Sequence, residues 1–410
     1  MATSTDDLTA AAARLIVARD DGECVVGRPD RGIYVDVPAA GAAFVEALQA
    51  GATLHEATAR ASEIAGEPVD GEDFVAALTD AGLLDPAGAT GPDGPAAPVR
   101  GRPIRWIEGV SPRAAQLMFG RTAWLCYGAA ALLAAGLLIA YPSVRPTFEH
   151  LFFLDDPILS ILVYLPVSLV LSATHEAWHW LAGRAIGVPA TFRVSHRGIF
   201  LVFETDLTQI VAVPRRRRYG PFFAGMAFDV CVLATALLLR VLYQHSVITL
   251  PPALYRLLGA VALGQFVAII WQWFAVFLRS DVYAALANAL RCQNLYRITW
   301  LTVKDRLWPL TTAQQEELAG AAPRDRVVAR WFGLVYMAGV GGMCWTFLTF
   351  AVPSMISTGT WLAGNLSTHS AASAAFWEAV AVAVCLAVFW GGPAVSAWRE
   401  RRLRRAGAPR

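Results

Sequence analysis

The sequence predicts a multi-pass α-helical membrane protein with about six transmembrane helices and a small N-terminal α+β domain of winged-helix type. The first observation behind this prediction is composition. Hydrophobic residues make up 56% of the 410 residues and charged residues only 16%, with a mean hydropathy of +0.46, which differs from the usual composition of a soluble globular domain. The second is that the hydrophobic residues are concentrated in blocks. A single soluble globule is therefore excluded.

Six blocks are each about long enough to cross a hydrocarbon core of about 30 Å, since an α-helix rises about 1.5 Å per residue. Five of them carry no charged residue, and the third carries only Asp229. They run from Ala123 to Tyr141, Pro157 to Thr174, Tyr219 to Leu239, Leu257 to Leu278, Trp331 to Val352 and Ala379 to Trp398.

The basic residues beside these spans predict the orientation of the chain in a cell membrane. The segment Gly187 to Arg218 after span two contains six arginines, including the run Arg215 to Arg218; the connection after span four contains eight basic residues, and the C-terminal segment contains six. The opposite connections are poor in basic residues. Both termini are therefore predicted to be cytoplasmic. The arginine run fits this topology better than it fits binding of nucleic acid or anionic lipid.

Three parts of different character follow one another along the chain. Residues 1–85 are mixed in composition and acidic, residues 86–103 are rich in proline, glycine and alanine, and residues 104–410 contain the spans. We interpret them as a soluble head, a flexible linker and a membrane domain. The formal net charge of +2 gives no general attraction to polyanions, and the acidity of the head argues against nucleic acid as a partner. The six cysteines are scattered singly, so neither a disulfide framework nor a cysteine zinc site is predicted.

The head begins with two strand-like runs, Glu23 to Gly27 and Gly32 to Val37, and continues with three helical patterns. Thr53 and Asp70 are typical N-cap residues for the second and third helices. This layout over about Leu15 to Asp85 resembles PqqD-like domains, which recognise ribosomally made, modified peptides. The resemblance implies a module that binds a leader peptide as an added strand at a sheet edge.

The chemical motif is His175-Glu176-Ala177-Trp178-His179, an HExxH sequence at the end of span two. On a helix, positions i and i+4 lie on one face, so both imidazoles can reach one metal ion, and Glu176 can act on a water beside it. Two neutral histidines favour Zn²⁺. Ionisable residues are costly at the end of a membrane helix unless they are paired or bind metal, which favours this interpretation over polar residues at the membrane surface.

A catalytic zinc site usually has a third protein ligand, and depth in the membrane separates the candidates. His175 and His179 lie roughly 27 to 33 Å from the outer end of span two. Asp281 lies roughly 36 Å from the outer end of span four, at a similar depth, whereas Asp229 lies only roughly 15 Å from the inner end of span three. Asp281 is therefore the predicted ligand, and Asp229 is predicted to be a polar group on the inner wall or a hydrogen-bonding partner of a ligand.

Glu204, about 25 residues after His179, is the alternative third ligand in the style of soluble metalloproteases. It falls in Thr191 to Val213, where the pattern favours short strands. We expect Glu204, Asp206 and His196 to lie in a solvated hairpin. Its edge could hold an extended substrate.

The membrane domain resembles the site-2 protease family of intramembrane zinc metalloproteases, particularly peptide zinc metalloproteases that carry PqqD-like heads. The matching segments are His175-Glu176-x-x-His179 with Leu181 to Arg184, Ala224 to Asp229, Ser280 to Tyr283 and Asn294-Leu295. The resemblance implies His175, His179 and Asp281 as ligands and Glu176 as the catalytic base. The chain departs from the family pattern in carrying Met226, Asp229 and Val282 where proline, asparagine and glycine are common.

The sequence thus predicts a membrane-embedded zinc metalloprotease that cleaves a peptide bond, in a ribosomally made modified or leader-bearing peptide. Its expected partners are that peptide and the lipid bilayer, without nucleic acid. Two alternatives remain at this stage: a non-catalytic peptide-binding component of an export or immunity system, and a regulatory intramembrane protease that acts on a membrane-anchored protein.

Overall fold

The structure is a computed structural model that describes residues 5–20, 22–84, 110–188, 190–197 and 200–387. The predicted linker, residues 86–103, and the end of the sixth predicted span lie outside the described residues. The described helices are α1 Thr5–Ala12, α2 Ala39–Gln49, α3 Leu54–Ala65, α4 Gly71–Asp80, α5 Pro112–Phe119, α6 Arg121–Ala140, α7 Pro157–Ala185, α8 Arg215–Gln244, α9 Pro252–Phe274, α10 Asp281–Ala289, α11 Leu295–Leu307, α12 Thr312–Ala319, α13 Pro323–Thr346, α14 Val352–Thr368 and α15 Ala374–Leu386. The described strands are β1 Ile16–Asp20, β2 Glu23–Arg28, β3 Ile33–Val37, β4 Thr191–Arg197 and β5 Phe200–Asp206.

The head is a three-stranded antiparallel sheet in the order β1-β2-β3, packed against short helices. Its core includes Phe44, Val45 and Leu48 of α2, which are at most 1% exposed. The two predicted N-caps are confirmed: Thr53 forms a capping box with Glu56, and Asp70 accepts from the first backbone N–H groups of α4. Strand β1 and helix α1 were not predicted, since the short sequence of β1 contains both an arginine and an aspartate and lacks a clear alternation of apolar residues.

Five helices in the described part of the chain are long and apolar enough to cross a membrane. They cover 112–140, where α5 and α6 follow one another, then 157–185, 215–244, 252–278 and 323–368. Each matches one of the first five predicted spans, the first of them ending one residue earlier than predicted. For the sixth, the described residues show a shorter apolar helix, α15.

The predicted connection from Pro353 to Glu378 is wrong over its first half, because the chain remains helical to Thr368. Proline normally disrupts a helix by removing an N–H and by clashing with the carbonyl of residue i−4. Here a π-helical turn, Phe347–Ala351, directly precedes Pro353. The wider turn changes the hydrogen-bond register at that point and lets the helix continue.

Helix α8 is central to the described membrane domain and contacts α6, α7, α9 and α10. Its packing surface includes Leu233, Ala234 and Leu237, which lie against Ala134 of α6 and Ala262 of α9. Small residues at this contact allow the helices to approach closely, as is usual in membrane bundles. Helix α8 also packs directly against α7, which carries the HExxH sequence.

The head contacts the membrane domain at the start of α8. The Asp20 carboxylate in β1 accepts a hydrogen bond from the backbone N–H of Arg215, and Gln209 donates to the carbonyl of Pro29 at 3.5 Å. A cavity of about 220 Å³ lies between the two parts. It is lined on the head by Asp20, Tyr34 and Asp36, and on the membrane domain by Arg215, Arg218 and Gln293.

Candidate metal centre

The two histidines of the HExxH sequence lie one turn apart on α7, and both face Asp281 of α10. Their ring centroids are 4.9 Å apart, and the two Nε2 atoms are 3.2 Å apart. His179 is buried, and the side chain of His175 is 12% exposed. His175, Glu176 and His179 form a group whose ligand atoms lie within 4.8 Å of one another and which could hold a metal ion.

Asp281 reaches the same point from a sharp turn between α9 and α10. Arg279 has a left-handed backbone, with φ of +63°, and reverses the chain direction. Ser280 then caps α10 by accepting from Tyr283 N and donates to the carbonyl of Gln272. The Asp281 N–H donates to the side-chain oxygen of Gln272 at 3.1 Å. Gln272 thereby binds two successive residues of the turn, Ser280 and Asp281.

The Asp281 carboxylate contacts both imidazoles through the same oxygen. Oδ2 lies 3.3 Å from Nε2 of His175 and 3.1 Å from Nε2 of His179. Burial works to raise the pKa of Asp281, but the neighbouring imidazoles outweigh it, and the pKa lies below its usual range. Helices α7 and α10 therefore bring together two imidazole nitrogens and one ionised carboxylate.

Helix α8 forms the wall behind the histidines and contacts them at positions spaced by four residues. The Pro221 carbonyl is 2.7 Å from Nδ1 of His179, and Asp229 Oδ2 is 2.8 Å from Nδ1 of His175. Between them, Gly225 lies directly against both rings, so that a Cβ there would meet His175 Cε1 at 2.5 Å. Because residues i, i+4 and i+8 share one helix face, a single face of α8 supports both imidazoles.

These contacts fix which nitrogen of each ring carries the proton. A carbonyl oxygen only accepts, so Nδ1 of His179 must donate to Pro221. The Asp229 side chain likewise places an acceptor oxygen, Oδ2, against Nδ1 of His175. In the neutral rings both Nε2 atoms then carry lone pairs, and they face each other and an Asp281 oxygen at 3.1–3.3 Å. Three electron-pair donors at these distances need a positive charge between them, which a metal ion or a proton on one of the imidazoles would supply.

Glu176 accepts two hydrogen bonds from Thr205 of β5. Thr205 donates its backbone N–H to Oε2 of Glu176 at 3.1 Å and its hydroxyl to the Glu176 carbonyl at 2.7 Å. The strand therefore contacts both the side chain and the main chain of the glutamate.

The structure thus places every predicted site residue, His175, Glu176, His179, Asp229 and Asp281, at one centre. The stretch that contains Glu204 forms the antiparallel strands β4 and β5, with Glu204 opposite Arg193. This agrees with the predicted strands, and the Glu204 side chain lies outside the described residues.

Sequence reasoning did not identify the contributions of Pro221, Gly225, Gln272 and Thr205. Gly225 belongs to a segment noted for its family resemblance, but the sequence does not show what it contacts. The other three contribute backbone groups, a side-chain amide or a hydroxyl, and no short motif marks these groups. They become visible only when α8, α9 and β5 are placed around α7.

Fold and site together define a mainly helical protein that has apolar helices long enough to cross a membrane and a candidate metal centre between α7, α8 and α10. No protein-family model, no curated protein and no solved structure matches the chain.

Proposed function

We propose that this chain is a zinc-dependent membrane peptidase in which His175, His179 and Asp281 bind the metal ion. The observation that carries the proposal is the convergence of two Nε2 atoms and Asp281 Oδ2 at 3.1–3.3 Å. Ligand atoms about 2.0–2.2 Å from a tetrahedral zinc ion lie about 3.3–3.6 Å from one another. The donor set, two imidazoles and one carboxylate, is one that zinc commonly takes in catalytic sites.

Glu176 has the role of general base rather than ligand in this proposal. It follows His175 directly on α7, so its side chain leaves the helix about 100° away from that of the histidine. Thr205 holds its carboxylate, whereas Asp281 Oδ2 is shared between both Nε2 atoms.

When bound, zinc lowers the pKa of a coordinated water toward neutrality and polarises a substrate carbonyl. The chain's own residues handle the protons. Glu176 takes a proton from the attacking water and later gives it to the departing amine, so that one peptide bond and one water become a carboxylic acid and an amine. Asp229 and the Pro221 carbonyl keep the imidazoles in the tautomer that leaves Nε2 free.

The substrate class in this proposal is a peptide presented by the head, such as a ribosomally made modified or leader-bearing peptide. The contact between Asp20 and the start of α8 supports this, because α8 also carries the wall of the metal centre. The sheet β4-β5 supports it as well. One edge of β5 pairs with β4, and Thr205 on its other edge binds Glu176 of α7. The edge of β4 that is unpaired in the described residues is therefore the one that an extended peptide could join.

The test uses the full-length protein in lipid nanodiscs. Zinc content is measured by elemental analysis, and cleavage is measured by mass spectrometry on a synthetic peptide library. We expect one zinc ion per chain in the wild type and in Glu176→Gln, with cleavage abolished in Glu176→Gln. His175→Ala should lose both zinc and cleavage. Glu316→Gln, an exposed glutamate on α12, is the matched control.

Three results would contradict the proposal. A wild-type protein that binds no zinc would exclude the metal centre. Stoichiometric zinc with cleavage that persists in Glu176→Gln would exclude the assigned base. Zinc binding with no cleavage of any peptide would favour a non-catalytic peptide-binding protein.

A further inference from the structure

Thr205 makes two hydrogen bonds to one residue of α7, and that residue is Glu176. The backbone N–H of Thr205 binds Oε2 of Glu176, and the Thr205 hydroxyl binds the Glu176 carbonyl. A glutamate side chain has several rotatable bonds, and ordering it costs conformational entropy. Fixing both ends of the residue removes that freedom before a substrate arrives.

We propose that Thr205 is a positioning residue that sets the orientation of the Glu176 carboxylate for proton transfer. The inference rests on the proposed peptidase function and adds a residue to it. With Oε2 engaged by an N–H, the other oxygen is the more basic one, and we assign Oε1 as the atom that takes the proton. Proton transfer needs the accepting atom within about 2.6–3.2 Å of its proton donor, so a rotated carboxylate would transfer the proton more slowly.

The position of Thr205 in the sheet explains why its N–H is available. Thr205 lies opposite Phe192 in the antiparallel pair of β4 and β5. In such a pair, alternate residues direct both backbone groups away from the partner strand. Because the Thr205 N–H binds Glu176, it is a residue of this kind, and the strand pairing does not depend on it.

This geometry allows the two hydrogen bonds to be removed separately. Thr205→Val removes the hydroxyl and keeps the shape and the N–H. Thr205→Pro removes the N–H at a position where the β4–β5 pairing does not use it, which is where strands tolerate proline. Thr205→Ser keeps both donors. Thr302→Val is the matched control, because the hydroxyl of Thr302 also donates to a helix carbonyl, that of Ile298, in α11.

The measurements are kcat and KM for a peptide found in the library screen, together with zinc affinity by competition with a chelator. Hydrogen bonds to charged groups lead us to expect kcat to fall about 10-fold or more in Thr205→Pro and less in Thr205→Val. KM and zinc affinity should stay within about twofold of wild type, since the ligands are not touched. Thr205→Ser should restore wild-type kcat.

Unchanged kcat in both Thr205→Pro and Thr205→Val would overturn the inference. A parallel loss of zinc affinity would also overturn it, because it would show that Thr205 only supports the fold of α7. If Thr205→Pro does not fold, the kcat and zinc affinity of Thr205→Val alone decide whether the inference holds. Failure of this inference can be told apart from failure of the proposed function. If only the inference fails, Glu176→Gln still abolishes cleavage; if the proposed function fails, cleavage persists in Glu176→Gln.

Discussion

Asp229 of α8 binds Nδ1 of His175 of α7 through Oδ2 at 2.8 Å. The side chain of Asp229 is only 4% exposed, so the carboxylate has little access to water and depends on this partner. A buried charge of this kind is costly in a membrane protein unless it is paired. The pair fixes the His175 tautomer and increases the electron density at Nε2, as carboxylates do when they support a metal-binding histidine.

Replacement of Asp229 by alanine should weaken zinc binding by about 10–100-fold, the usual effect of losing a hydrogen-bonding partner of a ligand. Asp229→Asn should have a smaller effect, since its amide oxygen still accepts from Nδ1. Chelator competition on the purified proteins measures both. Equal zinc affinity in wild type and Asp229→Ala would show that the pair does not support a metal ligand.

Asp281→Asn should weaken zinc binding by more than about 100-fold, because it neutralises a proposed ligand rather than a partner of one. Zinc content after dialysis against a chelator checks this. Asp305→Asn changes an exposed aspartate of α11 and is the control. If Asp281→Asn retains zinc as well as the control does, Asp281 is not the third ligand.

Gly225→Ala should abolish zinc binding while leaving the head folded. The added methyl would lie against Nε2 of both His175 and His179, in the space between the rings and α8. Gly136→Ala is the control, since a Cβ at this glycine of α6 meets nothing within 4 Å. Zinc content of the two variants gives the comparison. Normal zinc binding in Gly225→Ala would mean that α8 does not pack so closely against the metal centre.

The segment before α7 should lose stability in acid through His150. Burial and the nearby Arg240 guanidinium lower the pKa of His150, and Arg240 lies 2.8 Å from Nε2. The folded-state pKa is therefore below the unfolded value of about 6.5, and unfolding takes up a proton as the pH falls. This contribution is complete above about pH 6.5 and is lost as the pH falls through the folded-state pKa.

The measurement is thermal unfolding of wild type, His150→Gln and His369→Gln across about pH 5 to 8. We expect the melting temperature of His150→Gln to fall less on acidification than that of wild type. His369→Gln, which changes an exposed histidine, should follow the wild type. Identical slopes for all three proteins would contradict the prediction.

Loss of the Asp20 carboxylate should loosen the contact between the head and α8. Pro214, the residue before α8, provides no side-chain cap, and Asp20 binds the Arg215 N–H in its place. Caps of this kind contribute about 0.5–2 kcal/mol. Asp20→Ala should therefore increase hydrogen exchange in the first turn of α8, whereas Asp73→Ala, which changes an exposed aspartate of α4, should not. Unchanged exchange would show that Asp20 does not hold this contact.

The sequence predicted much of the fold because membrane helices and N-caps are local signals. Long apolar runs located the first five spans, and Thr53 and Asp70 marked the starts of α3 and α4. The continuation of the fifth helix beyond Pro353 was missed, since the π turn that accommodates the proline depends on hydrogen bonds and not on a sequence motif.

By itself the sequence determined that His175, Glu176 and His179 share one stretch of a membrane helix, because their spacing and the helix period settle that question. It could not determine what faces them. The tertiary structure decided that Asp281 Oδ2 reaches both Nε2 atoms, that Asp229 and Pro221 hold the opposite nitrogens, and that Gly225 leaves room for the rings. These relationships join residues 42 to 106 positions apart. They depend on how helices pack against one another, which is set by many weak contacts and not by any local pattern.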